Sequence, residues 1–310
     1  MSGAPAQPAI ATFCLTKYYG HNRGIDDLSI AVAPGEIFGF LGPNGAGKST
    51  TIRALMGLQH PTRGSAAILG LDTWHHSVEV HRHVGYLPGE LTLFDRMTGR
   101  QHVDWFARVR GLDVARDVAR LVDRLDVVLD RPVKELSKGN RQKLGIVLAT
   151  MHRPEVLVLD EPSSGLDPLV QDAFHGLVRE MAAEGTTVFL SSHELDEVQR
   201  VADRVAIIKD GRLVVTDSVE NLRATAPQTV EVDLRLPVDP RRFESIEGVR
   251  CVRVEGARVT LQLVGPIAPL LRVVAELEPV DLVARKADLD ELFLSYYRSD
   301  EVSDEVVDAS

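Results

Sequence analysis

Long apolar runs are what this 310-residue sequence most clearly lacks. No stretch approaches the ~18 apolar residues that a membrane-spanning helix requires, and the N-terminus has no charged-then-apolar signal pattern, so the chain is expected in the cytosol without a transmembrane segment of its own. Basic charge is also in short supply. The 35 Lys and Arg residues stand against 45 Asp and Glu, a formal net charge of −10, which argues against a nucleic-acid binder working through a general basic surface. Cysteine is scarce: Cys14 and Cys251 lie far apart in strand-like segments and form no C-x-x-C pair, so both read as packing residues. Residues 1–9, rich in Pro and Ala, and the acidic, polar residues 299–310 are expected to be disordered.

What is present is a complete phosphate-binding loop. Gly42, Pro43, Asn44, Gly45, Ala46, Gly47, Lys48, Ser49 and Thr50 fit the G-x-x-x-x-G-K-[ST] pattern. Glycines let successive backbone N–H groups converge on phosphate oxygens, Lys48 supplies a point charge for the β and γ phosphates, and the Ser49 hydroxyl suits a Mg²⁺ shell. The flanks agree with such a loop. Residues 37–41 read as a buried strand, and residues 49–56 run on as a helix ended by Gly57.

The length predicts two domains. Up to about residue 220 the chain alternates strand-like and helix-like segments. Short apolar runs at 156–159, 187–190 and 205–208 suit strands buried on both faces of a largely parallel sheet, which is α/β architecture. Between Leu91 and Leu136 the texture is helical: Thr98 can cap a helix running to Gly111, and Val118, Leu121, Val122 and Leu125 carry a second apolar period. Beyond Asp217 the composition changes. Residues 229–236 alternate strictly, 249–254 and 258–263 form a hairpin about Gly256, 266–277 and 289–297 are helical, and 280–284 is a strand. The order strand, helix, strand, strand, helix, strand predicts a small C-terminal α+β domain over 228–298 of ferredoxin-like, split βαβ type.

The second half of the site decides among the enzyme classes that a phosphate loop leaves open. Asp160 and Glu161 follow the apolar run at 156–159. The first, at a strand end, can hold Mg²⁺, and the second can orient and deprotonate an attacking water. Taken alone, such a pair also serves at helix N-termini.

With Leu136, Ser137, Lys138, Gly139 and Asn140 upstream of that pair, the chain resembles the ATP-binding cassette (ABC) proteins, whose signature loop is Leu-Ser-Gly-Gly-Gln. Ser164, Gly165, Leu166 and Asp167 are similar to the family's D-loop, and Ser191, Ser192, His193 and Glu194 to its switch-histidine loop. Tyr19 matches the aromatic that stacks on adenine. The resemblance covers roughly residues 10–217 and implies, over 10–220, an ABC-type P-loop NTPase core with a helical subdomain at about 91–150. It further implies ATP and Mg²⁺ as ligands and contact of His193 with the γ-phosphate and attacking water. In that picture two copies close head to tail, so that Ser137 and Gly139 of one clamp the γ-phosphate held by Lys48 of the other.

Two departures from the family pattern stand out. Lys138 and Asn140 replace Gly and Gln in the signature, and Gly89 stands where a glutamine normally touches Mg²⁺ and water. Glu90 is a candidate metal ligand in its stead, reaching in from the next position. The histidines at 75, 76, 81 and 83, with Glu79, read as a solvated surface and not a metal site.

The resemblance favours the nucleotide-binding subunit of a membrane transporter, peripheral on the cytoplasmic face of the membrane and paired with a separate transmembrane permease. Leu91, Leu93, Phe94, Met97, Trp105 and Phe106 are candidates for docking it. Residues 289–294, Leu-Asp-Glu-Leu-Phe-Leu, are similar to the ends of antibiotic and multidrug exporters of the daunorubicin-resistance type. An ATP-switched, dimerising interaction protein with little hydrolysis is the alternative. A soluble metabolite kinase fits the phosphate loop but leaves the signature and His193 unexplained.

Overall fold

The short apolar runs of the first two hundred residues assemble into one sheet. In the computed structural model, which describes residues 7–225 and 227–285, the chain divides into two compact units, Met1–Thr216 and Asp217–Ser310. The first is built on six strands: β3 (Ile37–Leu41), β6 (Val84–Leu87), β7 (Val156–Asp160), β8 (Thr187–Ser192), β9 (Arg204–Lys209) and β10 (Arg212–Ser218), in the order β10-β9-β3-β8-β7-β6. The pairs from β9 across to β6 are parallel. Every residue of β3, β7 and β8 is buried, as central strands covered on both faces must be.

A second sheet was not apparent from the sequence pattern. β1 (Ile10–Tyr19), β2 (Asn22–Val32), β4 (Arg63–Ile68) and β5 (Leu71–Asp72) pair antiparallel in the order β2-β1-β4-β5. Register shifts after Thr12 break the alternation in β1, and the extra residues of such a bulge hide the period of two. Cys14, half-exposed at positive φ, sits on that irregularity, and its neighbour Asp27 pushes the thiol pKa up. Ile10, Leu15, Ile25 and Leu28 from this sheet and Phe38, Phe40 and Phe189 from the parallel one share a single apolar cluster. Each such fully buried side chain contributes about 1.5–3 kcal/mol.

α1 (Lys48–Leu55) and α2 (Ser77–His83) each contact strands of both sheets. The helical subdomain contains α3 (Gly99–Arg110), α4 (Ala115–Leu125), a 3₁₀ turn (Val133–Glu135) and α5 (Lys138–Thr150). Thr98 caps α3 in a reciprocal box with Gln101, and Gly111 ends the helix in the left-handed region. Val118, Leu121 and Leu125 form the buried stripe of α4, and Arg120 and Arg124 both pair with Glu180 on α6 (Pro168–Ala183). α7 (Leu195–Val201) follows β8.

The second unit carries α8 (Val219–Thr225), β11 (Gln228–Leu234), α9 (Arg241–Glu244), β12 (Val249–Glu255), β13 (Arg258–Leu263), α10 (Ala268–Glu276) and β14 (Pro279–Arg285). Its antiparallel sheet has the order β12-β13-β11-β14. Val230, Val232, Val259 and Leu261 pack with Phe243, Leu270 and Val274 into a separate core. Asp233 and Arg258 pair directly across the two strands through two hydrogen bonds of 2.6 and 2.8 Å. One expectation is corrected. The alternation of β11 stops at Leu234, and Leu236, read as the last apolar member of that face, is 75% exposed. The helix expected at 289–297, the tail at 299–310 and the first six residues of the chain lie outside the described residues.

Candidate active site

Parallel register brings three loops to one edge of the sheet. Leu41 lies beside Ser192 and Asp160 beside Ser191, so the segments that leave β3, β7 and β8 emerge together, at the strand ends where open parallel sheets bind ligands. They border a cleft of about 810 Å³. Tyr19, Pro43, Asn44, Gly45, Gly47, Lys48, Ser49, Thr50, Glu90, Asp160, Glu161 and His193 all line it.

The loop before α1 is closed by Gly47. Its φ is 111°, and a Cβ there would stand 2.6 Å from the Gly24 carbonyl oxygen, so a side chain is excluded by both strain and space. α1 starts directly after it with no side-chain cap and no acidic residue in its first turn, which leaves its first N–H groups for an anionic ligand. Two residues of the loop do not line the cleft. Ala46 belongs to the apolar core, and Gly42 contributes its carbonyl to Lys48.

Lys48 is 6% exposed and already occupied. Its ammonium donates to Gly42 O at 2.6 Å and Pro43 O at 3.3 Å and pairs with Glu161 Oε1 at 3.2 Å. Lys48 is therefore tied into protein contacts as well as facing the cleft. Glu161 leaves β7 with φ 51°, a left-handed conformation that costs ~1–3 kcal/mol in a non-glycine residue. The turn aims its carboxylate between two donors, because His193 Nδ1 donates to Oε2 at 2.6 Å. The tautomer follows from the partner: an ionised carboxylate only accepts.

Asp160 is buried at the end of β7 and accepts the Ser191 hydroxyl on Oδ1 at 2.6 Å. With Ser49 on the same cleft, it offers the hydroxyl and carboxylate oxygens that Mg²⁺ takes, so the residues present fit that ion. Gly89 borders this carboxylate. A Cβ at 89 would lie 3.3 Å from Asp160 Oδ2, so any side chain there begins against the acid. Glu90 is exposed at the same rim. Nearby, burial and the Asp160 charge push the Tyr86 phenol up to about 12.

Tyr19, at the end of β1, donates from its hydroxyl to Gln59 Oε1 at 2.7 Å, and Lys17 Nζ stands 5.6 Å from its ring centre. Gly24 makes room for the ring, since a Cβ there would be 2.8 Å from it.

Ser137, Gly139 and Asp167 do not line the cleft. Ser137 is exposed and caps α5 by accepting Asn140 N at 3.1 Å. Gly139 lies so close to the D-loop that a Cβ would meet Gly165 O at 2.7 Å. The carboxylate of Asp167 caps α6 through Leu169 N and Val170 N. The two unusual signature residues have structural partners: Asn140 exchanges two hydrogen bonds with the backbone of Val128, and Lys138 donates to Ser164 Oγ.

Sequence reasoning missed several supporting groups. Buried Gln142 donates to Pro162 O at 2.9 Å, Ser191 holds Asp160, and buried Glu197 accepts the Ser192 hydroxyl at 2.6 Å. The only hint was the Ser191-Ser192 pair ahead of His193. The histidine-rich segment disperses. His75 precedes α2 and donates to Asp72, His81 donates to Met56 O, and His83 to Glu155.

The chain is similar to known proteins. The family model described as ABC transporter matches residues 25–164. The chain is 34% identical over 238 residues to the probable multidrug ABC transporter ATP-binding protein YbhF of Escherichia coli (strain K12), across 75% of this chain but 41% of that relative's length. It is 35% identical over 228 residues to the bacitracin transport ATP-binding protein BcrA of Bacillus licheniformis, across 73% of this chain and 74% of the relative. A solved structure described as the ATP binding subunit of an ABC transporter superposes with a TM-score of 0.66 at 30% identity, covering 69% of this chain and 92% of its own.

Proposed function

This chain belongs to the ATP-binding, ATP-hydrolysing subunits of ABC transporters, and from that premise we propose that it powers a membrane exporter of drugs or antibiotics. It works with a second copy of itself and a separate transmembrane permease, peripheral on the cytoplasmic face of the membrane. Among the described residues no helix is long and apolar enough to cross a membrane. The names of YbhF and BcrA support the class of cargo, and the half-buried or exposed Leu91, Leu93, Phe94, Met97, Trp105 and Phe106 are the surface proposed for the permease. The small C-terminal unit we read as ferredoxin-like, from its strand order β12-β13-β11-β14 with α9 and α10 intervening. We assign the nucleotide unit to 10–220 and the C-terminal domain to 228–298.

One observation carries the catalytic reading: Glu161 is held between Lys48 and His193, at 3.2 and 2.6 Å. Lys48 and the start of α1 hold the triphosphate, and Tyr19 presents its ring to the base. Asp160, Ser49 and Glu90 are the proposed ligands of Mg²⁺, which when bound offsets charge on the β and γ phosphates. As Lys48 turns to phosphate it leaves Oε1 of Glu161 unpaired, and that oxygen takes the proton of the attacking water. His193 keeps the carboxylate oriented through Nδ1. In the closed pair Ser137 and the Gly139 backbone of one copy, with Asp167 at its edge, complete the site of the other.

Purification from membranes together with a polytopic protein, followed by ATP hydrolysis and drug transport by the reconstituted pair, tests this function. Association and an ATP-dependent dimer without hydrolysis or transport would instead favour the ATP-switched interaction protein, which draws support from the missing side chain at Gly89.

A further inference from the structure

We propose that Glu197 is a positioning residue for hydrolysis: its buried carboxylate, by accepting the Ser192 hydroxyl, holds the turn that presents His193 to Glu161. This rests on the reading of Glu161 as base and His193 as its partner.

Glu197 is in the first turn of α7, where an acid ordinarily faces water and complements the helix dipole. Here it is turned inward and 5% exposed. Burial raises its pKa, the hydroxyls of Ser192 and then Ser163 offset this in part, and Oε1 has no partner in hydrogen-bond geometry. A buried acid with an unpartnered oxygen costs free energy that an apolar residue of similar volume would not. The other oxygen shows what the acid does. Ser192 Oγ donates to Glu197 Oε2 at 2.6 Å and accepts Glu194 N at 3.0 Å. The second bond, from residue i+2 back to residue i, is a serine turn, and the residue at its apex is His193.

A serine hydroxyl has one proton. With Glu197 taking it, the oxygen lone pairs face Glu194 N and the turn is locked. Without that acceptor the hydroxyl is free to rotate, the turn loosens, and the 2.6 Å contact from His193 Nδ1 to Glu161 loses its support. Ser192 is fully buried, so water does not readily replace the acceptor. The phosphate loop meets this turn through the backbone, Gly42 N donating to Ser192 O at 3.4 Å, whereas the Ser192 hydroxyl is bonded to Glu197 and Glu194 N. The effect should therefore fall on turnover and not on nucleotide affinity.

Steady-state ATP hydrolysis by the full chain, with nucleotide affinity and thermal midpoint measured in parallel, tests the proposal in E197A, E197Q, S192A, H193A and H193A/E197A. E197A and S192A should each lower kcat on the order of tenfold to a hundredfold while KM for ATP stays within about twofold. Gln keeps an acceptor for Ser192, so E197Q should recover most of the lost turnover. In the H193A background E197A should cost nothing more, because the residue it positions is gone. If E197A folds less stably than S192A, then S192A and E197Q still carry the test. Wild-type kcat in folded E197A and S192A, or an equal loss from E197A with and without His193, would overturn the proposal. Wild-type turnover in H193A alone would overturn the assignment of His193 beneath it.

Discussion

The two ends of the nucleotide apparatus differ in how far one chain completes them. At Lys48 three charged groups answer one another or a neighbour: the ammonium has two carbonyls and Glu161, Glu161 has His193, and Asp160 has Ser191. At the start of α5 the surface is open. Ser137 and Lys138 are exposed, and the first turn of the helix contains Lys138 and Arg141 but no acid, a choice that the helix dipole disfavours unless an anion arrives. The first end is organised within the described residues, and the second, on the function proposed above, waits for a second copy to meet it.

The largest effect is expected at Lys48. Lys48→Ala should lower kcat/KM for ATP by about 10³-fold, since it removes the cleft's buried cation. A parallel thermal melt should show a modest loss of stability, because Glu161 loses an ion pair. Wild-type turnover in the folded variant would remove Lys48 from the site. Next in size, Glu161→Gln should lose about 10²–10³-fold in turnover while keeping ATP affinity. It should also accumulate an ATP-dependent dimer visible by size measurement. A variant that stays monomeric at high ATP, alone and with its permease, would count heavily against completion of the exposed end by a second copy.

Gly139→Ala probes the exposed end directly. The added Cβ would stand 2.7 Å from Gly165 O, so the D-loop and the helix start must separate. Turnover should fall on the order of tenfold or more with ATP binding by the single chain intact. Loss of ATP binding would show that the two ends are not separable. The smallest effect is expected at Glu90. Glu90→Ala should cost about tenfold in turnover, roughly 1.4 kcal/mol, and raise the Mg²⁺ requirement. Gly89→Gln should restore part of it, limited by the 3.3 Å approach of its Cβ to Asp160. Normal hydrolysis by Glu90→Ala across a Mg²⁺ titration would leave water as the only candidate for that position.

Legibility followed the same division between local and non-local physics. The cap at Thr98, the stop at Gly111, the stripe of α4 and the buried strands β3, β7 and β8 are local signals, and the structure has each of them. The sheet of β1, β2, β4 and β5 was hidden, because bulges in β1 break its alternation and β4 has little β-branched content. The partners of the site were hidden for another reason. Ser191 finds Asp160, and Gln142 finds Pro162, only through the register and packing of segments distant along the chain.

The phosphate loop, the strand-end acids, the signature and the change of architecture beyond Asp217 are legible in the sequence, because each depends on residue types at fixed short spacing. Gly47 must be glycine for the φ that the loop demands, and the apolar strand β7 closes on the first of the two acids. That Lys48 rests on Glu161, that Asn140 serves the Val128 backbone, and that Glu197 turns inward to Ser192 came from the folded arrangement. Those contacts depend on which strand ends meet at one edge and what packs above them, and no spacing along the chain encodes that.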